Sequence, residues 1–270
     1  MSQIEITSVR SLNSSVTLVS NQVAGIKPER EAFTVRRSTI FSCLFVLLTS
    51  LEVSIGQAQS KEVDRLKSSA TVLNEIMATP DKSIPTDLLT KCACVAVIPS
   101  MKKGGFIFGG RYGRGVVSCR KNGGTGEWGP PSMIGLTGGS FGLLIGGAAV
   151  DVVMLVMDLN GINSLIKNEF TLGGDASVAA GPVGRASTAE TDAYMKAKIL
   201  SYSRSQGVFA GLELKGAVLK QDRDANQRLY GKIVGAKDLL LEASQPIPQP
   251  AEGFIQVLNK HSPVRNRKAS

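Results

Sequence analysis

Histidine is nearly absent from this 270-residue chain: the single one, His261, stands close to the C-terminus. No Ser–His or Cys–His pair can therefore assemble in the body of the chain, which excludes an ordinary triad hydrolase. Cysteine is also scarce, at four residues. Cys92, Cys94 and Cys119 would need a fourth zinc ligand, and no histidine lies near them in sequence. No Lys-Ser or Lys-Thr pair follows the glycine-rich segment 104–115, as a P-loop requires. The one GxGxxG match, Gly124, Gly126 and Gly129, runs straight into Pro130 and Pro131, so no helix starts there to hold a pyrophosphate. Long apolar runs are missing too. The stretch LLIGGAAVDVVMLVM is fifteen residues long and is interrupted by Gly146, Gly147 and Asp151, against the roughly 20 residues a spanning helix needs. No cofactor is expected.

What is present is an apolar fraction of 43%, enough for a buried core, and a net charge of +9 that favours anionic partners. Arg36 and Arg37 precede the twelve-residue apolar run IFSCLFVLLTSL, and Gly56 and Ala58 follow at cleavage-site spacing. The pattern reads as a secretory signal peptide cut after Ala58, with residues 1–58 as a leader whose true start lies downstream of Met1. The expected location is periplasmic or secreted, peripheral on a membrane. Residues 1–58 carry five cations and four acids, so the basic excess belongs to the domain expected over 59–241. Residues 242–270 read as a Pro-rich linker and a mobile basic tail.

Val63, Leu66, Ala70, Leu73 and Met77 recur at spacings of three and four, which predicts one amphipathic helix ended by Pro80. Its stripe is expected to pack on the core or to meet a membrane surface. A short helix is expected at IPTDLLTK. From Cys92 onward short runs bounded by glycine read as strands, apolar on both alternating faces and so covered on both sides. The order predicts an α+β fold, a mainly antiparallel or barrel-like sheet with an N-terminal amphipathic helix and short flanking helices. In an oxidising compartment Cys94 is expected to pair with Cys119, and Cys92 with Cys119 is the competing bridge. Asp151, Asp158 and Asp175 stand in apolar or glycine-rich sequence, where carboxylates ordinarily cap helices or accept backbone N–H groups.

The strongest functional signal is basic. Lys102, Lys103, Arg111, Arg114, Arg120 and Lys121 occur with no acid before Glu127, and a hairpin bringing them to one face would attract phosphate groups. The alternative is a solvated hairpin whose cations serve solubility alone. Nucleic acid is not expected as a partner, since Phe106, Phe108 and Tyr112 are the only residues there able to stack on bases.

Six ordered blocks, CVAVIPSMKKGGFIFGGRYGRGVVSCR, WGPPSMIGLTGGSFGLLIGG, DVVMLVMD, FTLGGDASVAAGPVGR, SYSRSQGVFAGLELKGAVL and DANQRLYG, resemble the SYLF domain family from about Val63 to Lys232. The resemblance implies a non-enzymatic, lipid-binding module. Some members bind phosphoinositides through an N-terminal amphipathic helix and basic residues, and yeast members bind actin. Carried to this chain, it points to the helix of Val63, Leu66, Leu73 and Met77 and to the cations after Pro99. The implied partners are an anionic lipid or membrane surface and, as the alternative, a protein partner or a second copy in a structural assembly.

Overall fold

The computed structural model describes residues 61–264, apart from 80–82, 106–107, 142–145, 159–160, 162, 164–165, 168, 184–196, 206–207 and 213. The leader read over 1–58 lies outside the described residues.

Among the described residues, nine strands form one sheet. They are β1 (Cys94–Gly105), β2 (Phe108–Cys119), β3 (Ser132–Phe141), β4 (Gly146–Val156), β5 (Glu169–Thr171), β6 (Val178–Ala180), β7 (Ile199–Ser205), β8 (Val208–Gly211) and β9 (Val218–Gln221). Their spatial order is β5-β9-β3-β2-β1-β4-β7-β6, with β8 paired to β7. Among the described strand pairs, β6–β7 alone is parallel. The α+β, mainly antiparallel architecture expected from the sequence is the one found.

Alternation along the central strands explains why both faces are apolar. On β1, Cys94, Ala96 and Ile98 face one core cluster, while Val95 and Val97 face another. β4 divides in the same way, with Val152, Met154 and Val156 on one side and Val153 and Leu155 on the other. Period-two geometry on a sheet covered on both sides produces this pattern. One face is covered by α1 (61–77), α2 (Thr86–Lys91), α3 (Arg223–Tyr230) and α5 (Glu252–His261). The other is covered by α4 (Ala236–Leu240) and by segments around Leu172 and Leu214.

The segments begin and end for identifiable reasons. Asp222 caps α3 by accepting from the Ala225 amide at 3.2 Å, and Gly231 closes that helix at φ 69°. Between β8 and β9 the chain turns at Gly216, which sits at φ 79°. β1 carries an extra residue between Val97 and Lys102, with Ser100 at φ 48° and its amide held by Asp151 Oδ1 at 2.9 Å. Next to this bulge, a Cβ on Gly115 would lie 2.1 Å from the Val97 carbonyl oxygen, so only glycine fits.

Two departures from the sequence reading concern the periphery. The segment assigned as linker and tail contains α5, whose Phe254, Ile255 and Leu258 are buried among the helices over the sheet. Its apolar residues fall at helical spacing, which the surrounding prolines masked. Cys92, two residues before Cys94, would share its face on one continuous strand, yet it belongs to the opposite cluster, because β1 starts at Cys94 and Cys92 still caps α2.

Candidate functional site: the basic end of the sheet

The β1–β2 ladder sets Lys102 opposite Tyr112 and Lys103 opposite Arg111. Directly opposed residues share a face, so the first pair lies on the α1 side with Arg114, two residues along β2. The second pair lies on the α4 side. Lys102, Lys103 and Arg114 are exposed and Arg111 is half-buried. Tyr112 is 48% exposed, and its hydroxyl accepts from Arg114 Nε at 2.5 Å. Among the described residues, Lys102, Lys103 and Arg114 form no ion pair.

Beyond these four cations the same strands carry two rows with almost no side chains. The first row is Gly139, Gly110, Gly104 and Gly147, read across β3, β2, β1 and β4. The second is Ser140, Gly109, Gly105 and Gly146. A Cβ on Gly110 or Gly139 would meet nothing within 4 Å, so internal packing does not demand glycine there.

Arg120 and Lys121, assigned by sequence to the same cationic group, lie elsewhere. Nine residues of strand separate Arg111 from Arg120, about 30 Å at 3.4 Å per residue. Arg120 is 3% exposed and stacks on Trp128, its guanidinium carbon 4.2 Å from the ring centroid. It donates to the Gly126 carbonyl at 3.0 Å, and to the Ser262 carbonyl at 2.7 Å and hydroxyl at 2.6 Å. Trp128 Nε1 donates to the same Ser262 carbonyl at 3.0 Å. This cation locks the end of α5 to the sheet and does not face an outside surface. Lys121 sits beside it, 3.9 Å from Glu127.

Helix α1 is seated on the protein. Leu66 and Leu73 are 1% and 0% exposed within the core, whereas Val63 and Met77 are half-buried at its margin. The buried stripe also takes in Ser69, Val72 and Ile76. Polar ties hold the helix along its length: Glu62 Oε1 accepts from Arg228 Nη2 at 2.8 Å, Arg65 pairs with Asp222 at 3.0 Å, and Glu75 pairs with Arg204. Contact of Leu66 or Leu73 with a membrane would require the helix to leave the sheet.

Cys94 and Cys119 form a disulfide between directly opposed positions of β1 and β2. The buried Cys92 keeps its thiol, which donates to the Leu89 carbonyl at 3.1 Å. The three aspartates serve structure: Asp151 accepts from the Ser100 amide and from Arg204, Asp158 from the Gly161 amide and Asp175 from the Thr171 amide. Tyr112 was read from the sequence only as a base-stacking candidate. Pairing symmetric about position 107 would have set it opposite Lys102, and that symmetry was the available signal.

The described residues thus show an α+β domain whose sheet is covered on both faces, with exposed Lys102, Lys103 and Arg114 grouped toward one end of the strands. Residues 137–261 match the model of the Ysc84 family, described as "Las17-binding protein actin regulator". The chain belongs to this SYLF (Ysc84) family. It is 33% identical over 209 residues to LAS seventeen-binding protein 3 of Saccharomyces cerevisiae, a match covering 76% of this chain and 44% of that protein. SH3 domain-containing YSC84-like protein 1 of Homo sapiens is 32% identical over 199 residues, covering 72% and 57%. The chain thus spans about half the length of the curated relatives it matches. The family description speaks of Las17 binding and actin regulation, and the yeast relative's name of binding.

Proposed function

We propose that the domain binds anionic lipid headgroups through the basic end of its sheet. The observation that carries this reading is the cross-strand opposition of Lys103 to Arg111, next to Lys102 and Arg114. Each cation near an anionic lipid surface contributes about 1 kcal/mol, so four together give reversible, salt-sensitive association of about 4 kcal/mol. The Cys94–Cys119 bridge supports a periplasmic or secreted location, where disulfides persist.

Co-sedimentation with vesicles tests the reading. Binding should rise with phosphatidylglycerol content and fall as salt is added, and equal binding to pure phosphatidylcholine vesicles contradicts it.

A second reading, a protein-binding module, is favoured by the family description, which names Las17 binding and actin regulation. Co-sedimentation with actin filaments by the chain, without vesicle binding, is the outcome that selects it. A stable oligomer in light scattering would instead select self-assembly.

A further inference from the structure

Tyr112 stands 48% exposed between two cations on its own face of the sheet: Lys102, directly opposite on β1, and Arg114, two residues along β2. Its hydroxyl accepts from Arg114 Nε at 2.5 Å, and the guanidinium carbon lies 5.9 Å from the ring centroid. We propose that Tyr112 is a positioning residue: it fixes Arg114 so that the far edge of the guanidinium takes a headgroup phosphate through two parallel N–H···O bonds. The inference rests on the lipid-binding reading above and separates one directed contact from the general attraction of the other cations.

Donor counting favours this geometry. A guanidinium carries five N–H groups in a rigid fork. With Nε engaged by Tyr112, four remain on the two Nη atoms, and among the described residues no acceptor takes them. Those two nitrogens form an edge that matches phosphate oxygens bidentately, which a point charge such as that of Lys102 does not. An unrestrained arginine on an exposed strand loses rotamer freedom when it binds. One already held by a hydroxyl loses less.

The surroundings leave that edge accessible. Arg114 lies opposite Gly135 on β3, where a Cβ would meet only the Gly113 carbonyl oxygen, at 3.9 Å. Tyr112 is opposite Thr137 and Lys102 is opposite Ala149, so short side chains flank all three. Asp151, two residues beyond Ala149 on the same face of β4, is engaged by the Ser100 amide and by Arg204. The phosphate therefore meets Arg114 beside an exposed Lys102, with Tyr112 between them and contributing no charge.

Co-sedimentation of the full chain with vesicles of mixed phosphatidylcholine and phosphatidylglycerol, over a range of salt, provides the test. Tyr112→Phe removes a hydroxyl and no charge. It should weaken binding roughly 2- to 12-fold, the effect of having to order one long side chain. The salt dependence should stay that of the parent, because the cations are unchanged in number. Arg114→Lys keeps the charge and loses the fork, so it should weaken binding at least as far. Adding Tyr112→Phe to Arg114→Lys should weaken it no further, since the hydroxyl acts through the guanidinium. Circular dichroism checks that each variant is folded. Parent or higher affinity in either single variant, or a further loss in the double variant, overturns the positioning role and leaves lipid binding standing. Failure of the unaltered chain to sediment overturns both.

Discussion

Replacing Arg120 with alanine separates a structural cation from a binding one. The guanidinium is 3% exposed, stacks on Trp128 at 4.2 Å, and holds the carbonyl and hydroxyl of Ser262 and the Gly126 carbonyl. Hydrogen bonds to a charged donor contribute about 1.5–3 kcal/mol each but are not additive here, since Trp128 Nε1 still binds the Ser262 carbonyl after the change. A desolvated cation–π contact adds about 2 kcal/mol. Allowing for that overlap, the expected loss is about 4 kcal/mol, a fall in Tm of roughly 8–16 °C for a domain of this size. Urea unfolding followed by circular dichroism measures the loss, and vesicle co-sedimentation of the folded variant measures the rest. Affinity for anionic vesicles should be that of the parent. A stability change under about 1 kcal/mol together with a clear loss of binding would refute the assignment and return Arg120 to the binding surface.

Two other consequences follow from the same geometry. The Cys94–Cys119 bridge closes a 25-residue separation, so reduction or a double Cys→Ala change should cost about 3.5 kcal/mol by loop-closure entropy. Non-reducing peptide mapping of protein made in an oxidising compartment should recover the bridge, with Cys92 reacting with thiol reagents only on unfolding, and free thiols at Cys92, Cys94 and Cys119 would contradict the pairing. Burial, with the neighbouring Lys260 charge, lowers the pKa of His261, whose Nε2 lies 2.8 Å from Asn74 Oδ1. The unfolded chain therefore binds the proton more readily, so this stabilisation is complete above about pH 6.5 and is lost as pH falls through the lowered folded value. A His261→Gln variant should flatten the Tm profile across that window, and an unchanged slope would count against it.

The elements legible in the sequence are those whose signal is local. Alternation along 94–98 and 152–156 announced strands covered on both sides, and the three-four spacing from Val63 announced α1. The exact stripe was less legible: Val72 and Ile76 are buried in place of a full share by Val63 and Met77, because the neighbours a helix packs against select its face. α5 was hidden by prolines on both sides of it. The site divides along similar lines. Lys102, Lys103, Arg111 and Arg114 cluster because two adjacent strands carry them, which sequence proximity conveys. Arg120 parts from them because its partners, Trp128 and Ser262, are set by tertiary packing, and Ser262 is 142 residues distant. Register then distributes the remaining cations over two faces, a property that no residue count reveals.

The central claim, that the basic end of the sheet holds an anionic lipid surface, is tested most directly by the vesicle affinity of a variant with Lys102, Lys103, Arg111 and Arg114 all changed to alanine. Four cations at about 1 kcal/mol each predict a loss of roughly 1000-fold on phosphatidylglycerol-containing vesicles, with the salt dependence of the parent abolished. A folded variant that binds such vesicles as the parent does, with the same salt dependence, would contradict the account.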